Sequence, residues 1–301
     1  MAKKFFISGS TGLIGSTLVD FLRHQGNDVK RLVRKGSPMS KDAVFWDPEK
    51  GEVDSAALDG ADVVINLAGE SIMGLHWSQA KKKRIRDSRI QGTKNLCSVL
   101  SNLKQPPKVL INGSAIGYYG NRGTEELTED SPSGTGFLAE VCQEWEAATQ
   151  KAEEKGIRVV KLRTGIVLSS KGGALAQMLI PFKLGLGGVV GSGEQYMSWI
   201  ALQDLVKMID FAISQESIQG AINAVSPQPV TNAEFTKTLG SVLQRPTFLP
   251  LPAALARLIF GEVADEMLLC STRAIPKKMQ QAGFSFQYPD LFAALQTELS
   301  S

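Results

Sequence analysis

Residues 5–15 read Phe5-Phe6-Ile7-Ser8-Gly9-Ser10-Thr11-Gly12-Leu13-Ile14-Gly15. A short apolar run, Phe5 to Ile7, enters three glycines spaced three apart, and a helical pattern follows from Ser16 to His24. A strand that turns sharply into a helix aims free backbone N–H groups and the positive end of a helix dipole at one point, which suits a pyrophosphate. Gly9 permits the tight turn, Gly12 the close approach of phosphate, and Gly15 the packing of helix on strand. Thr11, Leu13 and Ile14 complete the same turn and are expected beside the ligand. With 29 glycines in 301 residues the spacing alone is weak. Its place after a strand and before a helix makes it a dinucleotide site.

Working outward, β-branched apolar runs recur at Phe5–Ile7, Val29–Val33, Val44–Trp46, Val63–Leu67, Val109–Asn112, Val159–Leu162 and Ala221–Ala224. Nearly unbroken apolar character marks parallel strands buried on both faces. Helix-like spacing fills Ser16–His24, Lys81–Leu100 and Leu138–Glu154. The alternation predicts an α/β, doubly wound parallel sheet, the Rossmann arrangement. After about Gly165 the pattern changes: Gly172, Gly173, Gly185, Gly187, Gly188, Gly191 and Gly193 break the chain into loops. Thr231-Asn232-Ala233-Glu234 is a capping box opening a helix to about Leu243. The expected organisation is a dinucleotide-binding domain over 1–226 and a small, mostly helical lobe over 227–301, with 166–196 contributing in part to the lobe. The apolar tail with Leu255, Leu258, Ile259, Phe260, Met267, Leu268 and Leu269 is expected as core of that lobe. A substrate lid or a dimer face is the other reading, so a homodimer is a candidate partner.

Bulk properties exclude several classes. The formal charge of +3 is too mild to imply nucleic acid. Cys97, Cys142 and Cys270 are far apart and odd in number, which argues against a disulfide framework or a zinc site and favours a reducing compartment. With only His24 and His76, no metal site is expected. No signal peptide and no apolar stretch of membrane-spanning length is evident, which points to the cytoplasm.

The tip of the second strand discriminates between nucleotides. It reads Leu32-Val33-Arg34-Lys35, without the carboxylate that binds a ribose 2′-hydroxyl. Arg34 offers a planar fork of donors suited to a 2′-phosphate, so NADP is expected over NAD, with Val33 beside it. At the fourth expected strand, Leu67-Ala68-Gly69-Glu70 ends in small residues that let ribose and pyrophosphate approach backbone. The following helix carries Lys81, Lys82, Lys83, Arg84, Arg86, Arg89 and Lys94. These charges run around the helix with no interleaved aromatic row, so a solvated helix is read rather than a nucleic-acid face. Arg84 and Arg89 are candidates to reach a shared anion.

Further motifs follow in order: Asp87-Ser88-Arg89, Ser114-Ala115-Ile116-Gly117-Tyr118-Tyr119-Gly120, the stretch from Phe137 to Glu146, Arg163-Thr164-Gly165-Ile166-Val167-Leu168, Met178 to Phe182, Gly185 to Gly188, and Trp199-Ile200. With them the whole chain resembles the "epimerase family" branch of atypical short-chain dehydrogenase/reductases, which look like sugar-nucleotide epimerases and end in a small domain of unknown function. The resemblance implies an oxidoreductase or epimerase-like activity on a small-molecule substrate. It also implies NADP contacts at the glycine turn, Arg34, Leu67, Ala68, Arg84 and Arg89, and places Ile166 where the chain passes the nicotinamide. Active members of the superfamily use a Tyr with a Lys four residues on, which passes a proton as hydride moves. Here Tyr118 is followed at that distance by Arg122, Tyr119 by Gly123, Tyr196 by Ile200 and Tyr288 by Phe292. Phe137 and Val141 stand where the pair would fall. Ala201 stands where relatives usually carry His after Trp-Ile. Candidate catalytic residues are therefore Ser114, at the position of the superfamily's substrate-orienting hydroxyl, and Tyr118 and Tyr119 facing the same cleft. Glu70 and Glu140 are possible acids or bases, and Cys142 a nucleophile or, more simply, a buried thiol. The rival reading is a non-catalytic NADP-dependent regulator, consistent with the cell-division-inhibitor label some relatives carry.

Overall fold

A computed structural model describes residues 2–36 and 40–300. The chain opens with β1 (Lys4–Ser8), α1 (Leu13–His24), β2 (Asp28–Val33), β3 (Ala43–Asp47), β4 (Glu52–Val53), α2 (Ser55–Leu58) and β5 (Val63–Asn66). It continues through α3 (Gln79–Ser101), β6 (Val109–Ala115), a 3₁₀ turn (Ile116–Tyr119), β7 (Glu126–Leu127), α4 (Phe137–Ala147), α5 (Gln150–Glu154) and β8 (Arg158–Thr164). Then come β9 (Ile166–Leu168), α6 (Gly173–Lys183), β10 (Tyr196–Met197), β11 (Trp199–Ala201), α7 (Leu202–Ser214) and β12 (Gly220–Ala224). The last part holds β13 (Val230–Thr231), α8 (Asn232–Leu243), α9 (Ala253–Phe260), a π turn (Ala264–Leu268), β14 (Arg273–Ala274), α10 (Lys277–Gln281) and α11 (Leu291–Ser300).

Eight strands form one sheet in the order β12-β8-β6-β5-β1-β2-β3-β4. All pair in parallel except β4, which closes the edge antiparallel to β3. All seven expected strands are in the sheet. Strand order reverses between β1 and β5, and in such sheets ligands bind in the crevice beyond the carboxyl ends at that point. The glycine turn leaves β1 and Leu67-Ala68 leaves β5, so the two segments flank the reversal.

Alternation along β1 explains the two-sided core. Phe5 and Ile7 point to the face covered by α1 and α7, with Leu18, Leu22, Leu205 and Ile209. Phe6 points to the face covered by α3 and α5, with Leu96, Leu100 and Ala152. The expected single helix over Leu138–Glu154 is two: the Thr149 hydroxyl donates to the Glu146 carbonyl and ends α4 before α5 begins. Helix α7 was not among the expected helices, yet its apolar face is central to the core.

A second cluster joins Leu168, Leu175, Leu179, Phe182 and Trp199 to Phe235, Leu239 and Leu295, so parts of 166–201 share a core with α8 and α11. The capping box at Thr231 and Glu234 is formed in both directions. Helix α9 departs from expectation. Only Ala256 is buried, while Leu255, Leu258 and Ile259 are exposed, so this apolar helix is not lobe core.

Candidate cofactor cleft and catalytic site

The glycine turn forms from steric necessity. Gly9 has φ +69°, and a Cβ there would stand 2.7 Å from the Leu67 carbonyl. A Cβ on Gly15 would meet the Gly9 carbonyl oxygen at 2.2 Å, so α1 lies against the turn only because Gly15 has no side chain. Gly12 caps α1 without a side-chain hydrogen bond, and no acid occupies the first turn, which leaves the positive helix end open to an anion. Thr11 is exposed and Leu13 and Ile14 are half-buried in this turn.

At the adjacent strand tip, Val33 is buried and Arg34 is exposed, with no ion pair or hydrogen bond among the described residues. Arg34, Lys35, Trp46, Asp47, Pro48 and Glu49 line an open hollow of about 190 Å³. Arg31 behaves differently: its Nε lies 2.7 Å from Asp42, which Arg23 and Ser40 also bind. The Arg31 hydrogen bond, against the opposing pull of burial and with help from Ser40 and Arg23, holds the Asp42 carboxyl well below its ordinary range.

Under the β1–β5 crevice lies a buried polar network. Ser8 donates to Asn66 at 2.6 Å, Asn66 donates to Asn112 at 2.8 Å and to Thr93 at 3.0 Å, and the Trp145 indole donates to Thr93 at 3.0 Å. Filled donors and acceptors make this floor rigid, since an unpaired buried group would be costly.

Arg84 and Arg89 of α3 both reach the loop after β5. Arg89 donates to the backbone carbonyls of Glu70 and Ile85 and lies against Gly69, where a Cβ would be 3.3 Å away. Burial lowers its pKa from the ordinary arginine value. Arg84 is more exposed, and its Nε lies 3.5 Å from the Glu70 carboxylate, which Lys81 also binds at 2.7 Å. The Lys81 hydrogen bond, opposed by burial and aided by Arg84, lowers the Glu70 pKa, so Glu70 is an anion at neutral pH and does not act as an acid there. Among the described residues Arg84 and Arg89 do not share a carboxylate: Arg84 pairs with the Glu70 side chain, whereas Arg89 donates to backbone carbonyls.

The three catalytic candidates separate. Ser114 is buried and donates to Glu146 at 2.7 Å, so its hydroxyl turns toward α4. Tyr119 does not face a cleft: it is fully buried, its hydroxyl donates to Asn223 at 2.6 Å, and burial pushes its pKa up to about 12. Tyr118 alone is half-buried with a hydroxyl lacking a partner among the described residues. Its ring lies on the Arg163 guanidinium, 3.5 Å from centroid to carbon. Arg163 makes a bidentate pair with Glu146, at 2.8 and 2.9 Å, and donates to the Tyr119 oxygen at 2.9 Å and to the Glu129 carbonyl at 3.2 Å. Burial works against its charge, but Glu146 and Tyr119 outweigh that and hold its pKa above the ordinary arginine value. Glu140 is exposed. Cys142 is buried, and burial pushes its thiol to about 12, so it is not a nucleophile at neutral pH.

Phe137 opens α4, and Val141 is buried one turn on. Around Phe137 the Trp77 ring stands edge-on at 5.5 Å, the Lys82 ammonium lies 4.4 Å over the ring, and Val263 and Met267 complete the cluster. Glu266 from the π turn accepts the Phe137 and Leu138 N–H groups, each at 3.0 Å, and caps the helix. Ile166 begins β9 half-buried, paired with Trp199 of β11.

Glu146, Arg163 and Glu266 had no assigned role in the sequence. The available signal was a charged residue inside an apolar strand, Arg163 in β8, and a carboxylate beside Trp145 on a buried helix face. Nothing local marks Glu266, whose contact spans 129 positions.

The fold and the open glycine turn define a dinucleotide-binding protein of the short-chain dehydrogenase type. The chain belongs to the NAD-dependent epimerase/dehydratase family, whose model matches residues 5–224. Residues 251–298 match a domain of unknown function. The epimerase family protein Mb2239 of Mycobacterium bovis is 47% identical over 289 residues, covering 96% of this chain and 95% of that protein. The human epimerase family protein SDR39U1 is 36% identical over 295 residues, covering 97% and 98%. The crystal structure of human SDR39U1 (isoform 2) with NADPH superposes with a TM-score of 0.91 at 34% identity, covering 99% of each chain. A Corynebacterium glutamicum nucleoside-diphosphate sugar epimerase gives 0.83 at 38% identity, over 99% of this chain and 58% of that one.

Proposed function

We propose that this protein is an NADP(H)-dependent oxidoreductase or epimerase-like enzyme acting on a small polar molecule. The observation that carries the reading is the uncapped glycine turn at the strand reversal with Arg34, which has no partner among the described residues, at the neighbouring strand tip. A Cβ-free cradle and an exposed guanidinium suit a pyrophosphate and a 2′-phosphate respectively. The solved relative with NADPH supports the choice of nucleotide. Gly9, Thr11, Gly12, Leu13, Ile14 and Gly15 would hold the pyrophosphate. Val33 and Arg34 would hold the adenosine end, and Leu67, Ala68, Gly69, Arg84, Arg89 and Ile166 the remainder. The bound cofactor supplies hydride-transfer chemistry. The protein's own contribution is a proton at Tyr118 Oη, the one free hydroxyl of the three candidates. Arg163 positions the ring from beneath, Glu146 fixes Arg163, and Ser114 completes the hydrogen bonding of Glu146. The three free cysteines fit a reducing, cytoplasmic setting, and no helix among the described residues is long and apolar enough to cross a membrane.

The test is oxidation of NADPH against a panel of aldehydes, ketones and nucleotide sugars. Turnover that falls at least ~100-fold in Tyr118→Phe, with NADPH affinity unchanged, is expected for a positioned proton donor. A second reading is favoured by the cluster at Phe137: a phenyl ring stands where the resemblance puts the phenol, packed by Trp77, Val263 and Met267, on a helix start capped by Glu266. Tight NADPH binding with no turnover on any substrate would establish that reading, a regulator that senses the cofactor.

A further inference from the structure

Phe137 stands in an apolar box at the carboxyl end of the sheet. Gly117 of the 3₁₀ turn packs on Leu138, where a Cβ would be 3.4 Å away, so the start of α4 adjoins the turn that carries Tyr118. Ile72 and Trp77 of the loop after β5 join the box, with Phe260, Val263 and Met267 from the C-terminal region. It is half open: Ile72, Phe137, Phe260 and Met267 are each only partly buried. The rim is apolar too. Met73, Leu75 and Ile259 are 37%, 60% and 38% exposed. His76 lies against Gly261, where a Cβ would be 3.0 Å away, which brings the loop with Leu75 beside the end of α9.

We propose that the substrate taken by this box is an uncharged aldehyde or ketone with a hydrocarbon body, and not a nucleoside-diphosphate sugar. The inference rests on the NADP(H)-dependent reading above and narrows it: the polar part of the substrate is its carbonyl, and the rest lies on Phe137 and leaves past Leu75 and Ile259. Charge decides between the two classes. A diphosphate is held by cations with donors to spare. Around the box the cations are already matched by carboxylates of the chain. Lys81 and Arg84 face Glu70, at 2.7 and 3.5 Å, and Lys82 faces Glu262 at 2.7 Å. Arg257 of α9 faces Asp265 at 2.9 Å, and Arg163, beneath Tyr118, is held by Glu146. Arg89 is engaged by backbone carbonyls. Glu266 adds a further carboxylate at the start of α4. Matched pairs leave little net field to attract phosphate, and a diphosphate would stand against Glu70, Glu262 and Glu266. Lys171 has no partner among the described residues, but it serves the other end of the crevice: a Cβ on the next residue, Gly172, would be 3.9 Å from Leu13 of the glycine turn. A hydrocarbon body meets no such opposition, and aromatic and aliphatic walls with few polar groups are its usual setting.

The test is calorimetric titration of the full chain, saturated with NADPH, with 1-hexanol, 1-octanol and 1-decanol and, separately, with UDP-glucose. Reduced nucleotide cannot oxidise an alcohol, so the heat reads binding alone. Affinity that rises roughly two- to fourfold per added methylene is expected, with no saturable heat from UDP-glucose. Leu75→Gln and Ile259→Gln replace exposed side chains and should fold, checked by an unchanged melting temperature. Each should weaken 1-decanol by at least ~3-fold and leave 1-hexanol unchanged. A slope that survives both substitutions, or saturable binding of UDP-glucose, overturns the proposal. So does affinity independent of chain length, which together with a dimeric mass in sedimentation would assign the rim to a second copy. NADPH binding is measured first: its absence removes the cofactor reading, while the alcohol series repeated without nucleotide still decides the character of the box.

Discussion

Arg31 and Arg34 stand three residues apart at one strand tip and differ in what they bind. Arg31 is neutralised by Asp42, and Arg34 is left facing a hollow. Both roles trace to residue chemistry, yet only the second was legible in sequence, because the partner of Arg31 is set by how β3 folds back. The glycines were legible individually. Adding a methyl at Gly15 forces a contact no side chain tolerates, so Gly15→Ala should cost about 3 kcal/mol or more in denaturant unfolding. A near-neutral result would mean that the turn is looser than it stands here. The buried acids also make a pH prediction. Tyr119, Cys97 and Cys142 are each pushed to about 12, chiefly by burial. Folded values above the unfolded ones mean that their stabilisation is complete at neutral pH and lost as pH rises from about 9 toward 12. Iodoacetamide at mildly alkaline pH should therefore leave Cys97 and Cys142 untouched in the native protein and label both in urea. Rapid native labelling would contradict their burial.

At the scale of elements, the long apolar runs were readable because strands buried on both faces must be apolar throughout. The missed pieces were short or set by tertiary contacts. Strands β9 and β11 have three residues each and exist through pairing with one another. The division between α4 and α5 rests on one hydroxyl, and the exposure of α9 is invisible to composition. The start of α4 depends on a carboxylate from the C-terminal region. Glu266→Gln should weaken the cap and cost about 1 kcal/mol, with faster amide exchange at Phe137 and Leu138. Unchanged exchange at those two amides would show that Glu266 does not cap the helix.

On the scale of the whole molecule, strand order places the glycine turn, the exit of β5 and the tip of β2 along one edge of the sheet. That much of the candidate site followed from sequence, since each segment carries its own motif. The Ser114–Glu146–Arg163–Tyr118 assembly did not, because it joins β6, α4, β8 and a 3₁₀ turn through side chains that no spacing rule connects. Removing one member leaves a buried charge alone, so Glu146→Ala should destabilise by about 3–5 kcal/mol, read as a lowered denaturation midpoint. A loss below 1 kcal/mol would mean that water replaces the carboxylate.

The central claim is that the first turn and Arg34 together hold a phosphorylated dinucleotide. Titration calorimetry of the wild type and Arg34→Ala with NADPH and with NADH tests it most directly. Saturable one-site binding with a preference for NADPH that Arg34→Ala abolishes is the predicted result. No saturable heat with either nucleotide, or an NADPH preference that survives Arg34→Ala, would contradict it.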